Sequence, residues 1–585
     1  MIDVLFVNSQ KKLILSHEVN GTMLLATKLL EADFTVDVLR FGEMNSYRGD
    51  YTDFLDDMIR EITAREPKCV SFYLLWPNTH IMLNLAERLK QINPQTVIIF
   101  GGPQASATAG DMIKAFDYLD YVCTSEGENT IVPLLTSVLR TQKKGLADIP
   151  GLFYRENGQI LHNDTPVPLC DLETLPQWDD RLLKRYLDTP EENWTSDTYF
   201  MALDVGRGCP YNCTFCSSSY FWCRKYRLKT PKKIVEDMLY HYHKYNIHSF
   251  AFSHDAFTSN MKLVDQVCEH IMASGVDFKW YCSARFDCVS EELLMKMKRS
   301  GLIQIELGVE VGSKRMQKLT KKNLNLEHVN RLVDFMLANG IRVGVFFMCG
   351  FPEETEQDLS ETLDMMFTML DKGINYASMS FLRFNPATEL TAKHFDDLVL
   401  DPTMKFLKRA VFGYNENIRM IEENKAIFPF YYHLETPLRR EFQFLTLFNK
   451  MYQRFPRYIR YARRLYNGDN IRFYRDFCRN NADIFNGTMT VIDHAVQFNP
   501  VEMICNGIRD FDIPYLPQLR SALQFELDLE EVKDSKKDIT LTRTYNFRYP
   551  DVMQNKPIEE FAQGQTDILF HKVNGAISIV PVHIR

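Results

Sequence analysis

Apolar, β-rich runs of seven or eight residues alternate with helix-length amphipathic segments along the first 140 residues. The runs are Ile2 to Asn8, Thr35 to Phe41, Cys69 to Trp76, Thr96 to Gly102 and Asp120 to Glu126. Between them lie segments such as Thr79 to Gln91, with Leu83, Leu85, Ala86 and Leu89 on one side. This alternation predicts a parallel sheet covered on both faces, and residues 1–145 are assigned an α/β, Rossmann-like doubly wound domain. In such sheets a ligand sits beyond the strand C-termini, where the strand order reverses. Residues 146–195 read as a linker, with a hairpin turning at Asn157-Gly158 and a stretch containing Pro166, Pro168 and Pro176. From 196 to 395 the alternation resumes in longer units. Its apolar runs are Phe200 to Gly206, Ser249 to Asp255, Phe278 to Asp287, Ile303 to Gly312, Arg342 to Gly350 and Ala377 to Phe384. Six such units predict a partial (βα)6 TIM-like barrel, whose active site would lie at the strand C-termini. From 396 to 585 the pattern becomes mainly helical, with aromatic and basic stretches at Arg454 to Tyr466 and Ile471 to Arg479. This segment is assigned to a C-terminal, substrate-shaping domain. Near its end TLTRTYNFRY and AISIVPV read as strands.

Composition narrows the class without deciding it. The 585 residues are 45% apolar and 25% charged, in the globular range, so wholesale disorder, collagen and coiled coil are excluded. With 68 basic and 76 acidic residues the net charge is −8, which disfavours broad affinity for nucleic acid. Asp3 interrupts the first apolar run, as no secretory signal would. No apolar run approaches the ~18 residues of a membrane span. A cytoplasmic setting is expected, where the 13 cysteines would stay reduced and clusters of them read as metal ligands or reactive groups.

The strongest chemical signal is GRGCPYNCTFC, with Cys209, Cys213 and Cys216 spaced C-x3-C-x2-C directly after the first barrel strand. Three thiolates in a tight loop can each hold one iron of a 4Fe-4S cube and leave the fourth iron open to a ligand. A zinc knuckle is the bland alternative. It needs a fourth ligand, and Cys223 is the only nearby candidate.

This loop, on the first strand of a partial barrel, resembles the signature of the radical S-adenosylmethionine (SAM) enzymes, and the resemblance covers about residues 196–395. It implies a 4Fe-4S cluster on the three cysteines, SAM chelated to the open iron, and one-electron cleavage of the sulfonium to a 5′-deoxyadenosyl radical. It also implies an external one-electron reductant such as flavodoxin or ferredoxin. Further positions acquire readings from it. Phe215 would lie near the adenine, or else pack as an ordinary core residue. Asp255 would accept from the cofactor amine, although His254-Asp255 stands where the family has Gly-Gly-Glu. Ser283 and Arg285 end the third strand, and Arg285 could meet the cofactor carboxylate. Glu310 would contact cofactor polar atoms, and Gly350 lies in an adenine-side loop.

Residues 1–145 resemble the cobalamin-binding domain attached to one branch of that superfamily. The matching features are Gly101, Gly102 and Pro103 after the fourth strand, and Ser125, Glu126, Gly127 and Glu128 after the fifth. Glycines let a backbone approach a bulky ligand, and helix N-termini favour its phosphate, so the cobalamin nucleotide tail is expected there. The Asp-x-His-x-x-Gly signature of the histidine-ligated class is absent. The loop holding Leu75, Trp76 and Asn78 is then the candidate to sit beneath the cobalt, with core packing as the alternative for Trp76.

Other signals read as structural. His241, His243 and His248 do not share a helix face and are expected on the solvated surface. Cys282 and Cys349 are held in reserve as pocket thiols. The Arg/Tyr-rich stretch reads as an amphipathic surface, or as a groove for an anionic substrate or peptide. The resemblance implies a cobalamin-dependent methyltransferase acting on an unactivated carbon or phosphorus centre of a small natural product or a peptide, through methylcobalamin. A non-methylating cyclase or rearrangement enzyme is the alternative of the same class. A non-catalytic Fe-S or cobalamin sensor or electron carrier is the alternative of another class. Catalytic side chains are left unassigned, and no nucleic-acid partner or membrane span is expected.

Overall fold

The computed structural model describes residues 2–8, 17–40, 50–187, 200–401, 404, 412–454, 456–481, 505, 516–534, 539–545, 565–573 and 576–584. It divides into two compact units, residues 1–354 with 381–437, and residues 355–380 with 438–585.

The first unit begins with β1 (Ile2–Asn8), β2 (Val36–Arg40), β3 (Pro67–Tyr73), β4 (Val97–Gly101) and β5 (Tyr121–Cys123). These pair in parallel in the order β2-β1-β3-β4-β5. Helices α1 (His17–Glu31), α2 (Tyr51–Thr63), α3 (Thr79–Ile92), α4 (Pro103–Ala115) and α5 (Ile131–Arg140) make the connections. Strands buried on both faces are uniformly apolar. Val4, Leu5, Val7, Val70, Ile98 and Phe100 are accordingly fully enclosed. The strand order reverses between β1 and β3, which opens a crevice at their C-terminal ends. The Asn157-Gly158 hairpin, β6 (Leu152–Glu156) and β7 (Gln159–His162), adds antiparallel to β5 and completes a seven-stranded sheet. Tyr414, Ile421, Phe428 and Tyr431 pack into the same core as this sheet.

The barrel-like sheet is built from β8 (Met201–Asp204), β11 (Ser249–Ser253), β12 (Lys279–Ala284), β13 (Leu302–Glu310) and β14 (Arg342–Cys349), paired in parallel. With β15 (Tyr376–Phe381) it is six-stranded, in the order β15-β14-β13-β12-β11-β8. This is a partial TIM-like barrel. Between β8 and β11, the short strands β9 (Gly206–Arg207) and β10 (Arg227–Leu228) pair antiparallel. Along β13 buried and half-buried residues alternate, which places Gln304, Glu306, Gly308 and Glu310 on one face.

The second unit is mainly helical. Its helix Glu356–Lys372 opens with a capping box in which Thr355 and Asp358 satisfy each other's backbone. Asp371 of that helix accepts from Arg463 at 2.6 Å and Arg460 at 2.9 Å and from the Tyr452 hydroxyl. The helix Leu516–Asp534 packs on an antiparallel sheet of Ile539–Tyr545, Thr566–Val573 and Ala576–Ile584. No helix among the described residues is long and apolar enough to cross a membrane.

Candidate functional site

The three-cysteine loop hangs between β9 and β10, whose pairing closes its base. Gly208 starts it at φ +90°, and a Cβ there would lie 1.9 Å from the Lys225 carbonyl oxygen. Only glycine fits that approach. Downstream, the Thr214 N–H donates to the Thr320 carbonyl at 3.1 Å, and the Leu390 N–H donates to the Thr214 carbonyl at 3.0 Å. Cys209, Cys213 and Cys216 are half-buried and free of disulfides. Burial, followed by the charges of Cys216, Asp255 and Cys213, pushes the Cys209 thiol up to about 11. Burial and Cys213 also raise Cys216. Three free thiols in one short loop are a donor set that suits a cationic centre, and they match in number the ligand demand of a 4Fe-4S cluster with one open iron.

The strand ends supply the neighbours. The Asp255 carboxylate accepts the Gly208 N–H at 3.1 Å and the Ser218 hydroxyl at 2.8 Å, so it braces the start of the cysteine loop. Arg285 is occupied by Asp287, the Lys322 carbonyl and the Cys213 sulfur. Glu310 sits at φ +68° at an irregularity of β13, with its carboxylate 3.1 Å from the Lys322 ammonium. Gly350 donates its N–H to Glu354. Phe215 packs edge-on against Phe351 at 5.8 Å.

A cavity of about 540 Å³ brings the two sheets of this unit together chemically. Trp76, Gly101, Gly102, Pro103 and Ser125 to Glu128 line it from the N-terminal sheet, and Asp255 and Ser283 from the barrel. Cys209, Cys213, Cys216, Phe215, Arg285, Glu310, Gly350 and Asn78 are outside its lining, and the cysteine loop reaches it through Ser217 and Ser218. Asn78 is instead a buried turn residue, whose side-chain oxygen accepts the Leu75 N–H at 3.0 Å. Gly102 turns at φ +100°, where a Cβ would meet the Leu74 carbonyl oxygen at 2.9 Å, and a Cβ on Gly101 would meet nothing within 4 Å. Pro103 then begins α4, whose first amides follow directly. Asn20 also lines the cavity. It is only 4% exposed and neither of its side-chain polar atoms has a partner. A buried amide left unpaired costs ~1–3 kcal/mol, so this one fits a ligand rich in donors and acceptors. An open glycine edge, an unpaired amide and the indole of Trp76 together suit a corrin with its amide arms.

Glu126 and Glu128 line the cavity, yet their carboxylates are engaged by arginines. Arg207 lies 2.7 Å from Glu128, 2.9 Å from Asp204 and 3.2 Å from Glu126, and Arg227 also pairs with Glu126. The Cys170 N–H donates to Glu126 at 2.7 Å. Burial alone would raise Glu126, but the Arg227 hydrogen bond, the Arg207 charge and the Cys170 N–H hold it below the usual carboxylate range. Glu126, Glu128 and Cys170 have metal-like spacing. Two guanidinium groups already occupy the carboxylates. Trp222 lies beside both, 5.8 Å from Arg207 and 5.9 Å from Arg227.

Asn20, Arg207, Arg227 and Trp222 are site residues that the sequence reading missed. Arg207 was visible inside GRGCP, but its partners are 79 and 81 positions away for Glu128 and Glu126. Two other readings are corrected. His241 is buried, not solvated, and burial pushes it down to about 4, while His243 and His248 are exposed. Cys282 and Cys349 are at most 1% exposed and do not line the cavity, so neither is a pocket thiol.

Comparison with known proteins agrees with this geometry. Residues 203–366 match the family model of the radical SAM superfamily, and residues 15–135 match that of the B12 binding domain. An uncharacterized methyltransferase of Pyrococcus horikoshii is 27% identical over 336 residues, which is 57% of this chain and 71% of that protein. The anaerobic magnesium-protoporphyrin IX monomethyl ester cyclase of Rubrivivax gelatinosus is 26% identical over 321 residues, 54% of this chain and 56% of that protein. Among solved structures, the radical SAM methyltransferase TsrM from Kitasatospora setae, with cobalamin and a [4Fe-4S] cluster bound, superposes with a TM-score of 0.52. It is 16% identical and covers 68% of this chain and 75% of its own, a likeness of fold.

Proposed function

We propose, for a chain in which a B12-binding domain precedes a radical SAM domain, that it is a cobalamin-dependent radical SAM methyltransferase. Its substrate would be a small molecule or peptide methylated at an unactivated carbon or phosphorus centre. The observation that carries this reading is the shared cavity, lined on one side by the crevice of the N-terminal sheet and on the other by barrel strand ends beside the three-cysteine loop. When bound, a 4Fe-4S cluster would supply the electron that cleaves SAM, and a corrin would carry the methyl group.

The chain's own residues have separable tasks. Cys209, Cys213 and Cys216 would hold the cluster. Asp255 fixes the turn at Gly208 and Ser218, and so sets where the cysteine loop meets the cavity. Gly101, Gly102 and Asn20 would receive the corrin. Trp76 lines the same cavity with an apolar indole and would exclude water from the side of the corrin that it faces. Arg207 and Arg227 tie the loop after β5 to both strands at the base of the cysteine loop. That tie keeps the two cofactor sites at fixed separation, as two groups acting on one substrate require.

A cyclase of the same class is the second reading, supported by the Rubrivivax gelatinosus relative. The test is anaerobic reconstitution with iron, sulfide and hydroxocobalamin, followed by reduction with SAM present. Methylation predicts both 5′-deoxyadenosine and S-adenosylhomocysteine, whereas cyclisation predicts 5′-deoxyadenosine alone. If neither forms in the wild type, although four irons and one cobalamin are bound per chain, the proposal fails. Cys213→Ala should abolish both products and lower the iron content.

A further inference from the structure

Arg285 directly follows β12 and is held from several sides. Its Nε and Nη2 each donate to an Asp287 carboxylate oxygen at 3.0 Å, and Nη2 also donates to the Lys322 carbonyl at 2.8 Å. The Tyr211 ring lies against the guanidinium, 3.7 Å from its carbon to the ring centroid. The remaining nitrogen, Nη1, reaches the Sγ of Cys213 at 3.6 Å. Lys322 is itself anchored, with its ammonium 3.1 Å from Glu310. The residue is 6% exposed. A guanidinium with this many partners cannot swing into the cavity without abandoning most of them, and the cavity lining does not include it. The expectation that it meets a cofactor carboxylate therefore has little geometric support.

A different role does have that support. We propose that Arg285 is a positioning residue of the three-cysteine centre, which presses a permanent cation against the Cys213 sulfur so that the cluster accepts an electron more readily. The proposal rests on the reading of Cys209, Cys213 and Cys216 as 4Fe-4S ligands. One-electron reduction by an external donor adds one negative charge to the cluster. A buried cation one hydrogen bond from a ligand sulfur favours that form, and hydrogen bonds to the sulfurs and local charge are established levers on such potentials. Arginine suits the task because it stays protonated and its planar fork can serve a carboxylate on one edge and a sulfur on the other. Asp287 grips the edge away from the sulfur and its side chain is 39% exposed, so water screens part of its opposing charge. Tyr211 comes from the cysteine loop itself, between the first two cysteines, so the same stack registers the loop against β12.

The experiment uses the full chain, reconstituted anaerobically, with titanium(III) citrate as the electron source. The reduced-cluster signal is followed by electron paramagnetic resonance against solution potential. Arg285→Gln should lower the midpoint so that about tenfold less cluster is reduced at a fixed potential, a shift of about 59 mV for one electron. Arg285→Lys keeps the charge without the fork and should fall between Gln and wild type. Asp287→Asn removes the opposing charge and should shift the midpoint upward. If Arg285→Gln fails to take up iron, the sign of the Asp287→Asn shift decides. A wild-type midpoint in both Arg285→Gln and Asp287→Asn, or a downward shift in Asp287→Asn, overturns the proposal alone. Wild-type protein that takes up no four-iron centre overturns the ligand reading itself, and the proposal falls with it.

Discussion

Arg207→Met is the sharpest perturbation of the charge network beside the cavity. In the wild type two guanidinium groups face the carboxylates of Glu126, Glu128 and Asp204, which leaves one net negative charge in a buried cluster. The side chains of Arg207, Glu126 and Glu128 are 9%, 1% and 5% exposed, so water screens little of this. Methionine matches much of the arginine stem but leaves three carboxylates with Arg227 alone. Removing one partner of a buried pair costs about 3–5 kcal/mol, because the desolvated charge left behind has nothing to offset it. A chain of two units need not unfold in one step, so a global midpoint is the wrong readout. Local opening is the right one, measured by hydrogen exchange of peptides covering 121–131 and 201–208. At about 1.4 kcal/mol per decade, exchange there should accelerate by roughly two to three and a half decades. The helix Leu326–Ala338, remote in sequence, should keep its wild-type rate. Adding Glu128→Gln to Arg207→Met should restore much of the protection, because it removes one of the stranded charges. An acceleration below about fivefold in the single variant would refute the claim that this network holds the two segments together.

Burial pushes His80 and His241 down to about 4, with the Phe412 carbonyl and the Asp237 charge opposing it only in part. Both stay neutral in the folded chain while the unfolded chain protonates below about 6.5, so their contribution is complete above pH 6.5 and is lost as pH falls toward 4. Between those limits each of the two should take about 1.4 kcal/mol per pH unit from the stability of the first unit, so His80→Asn should lower the slope by that amount in denaturant titrations at stepped pH. Gly101→Phe projects a ring into open space, so the fold should persist by circular dichroism while hydroxocobalamin affinity drops more than about tenfold; unchanged affinity would remove Gly101 from the corrin site. Gly208→Ala places a methyl against the Lys225 carbonyl and strains a φ of +90°, so iron uptake on reconstitution should fall to near that of Cys213→Ala, and normal uptake would show that the loop does not need this turn.

Much of this architecture can be read from local pattern because buried parallel strands are apolar throughout. The runs at Ile2 to Asn8 and Arg342 to Gly350 become strands within a residue of their expected ends. Strand-end positions were equally legible, since the barrel period delivers Asp255, Ser283, Arg285 and Glu310 to the C-terminal side of the sheet. What could not be read is which distant group each of those side chains meets. Asn157-Gly158 announces a hairpin, but nothing local says that it extends the first sheet beside β5. Glu126 and Glu128 look like anions beside a glycine loop, and only the fold brings Arg207 and Arg227 to them across 79 to 101 positions. His241 is a different case, because its environment was written in the helix. It stands three residues after Met238 and seven after Ile234, both buried, so helical spacing places it on the core face. His243 lies two positions on and faces outward. Spacing relative to apolar neighbours, rather than spacing among the histidines, carried the information. The same logic explains why periodicity brings Arg285 to the end of β12 but does not name its partners. Periodicity reports which face a side chain takes, whereas its electrostatic role depends on charges that the chain brings back from elsewhere, here the Cys213 sulfur 72 positions earlier and the Lys322 carbonyl 37 positions later.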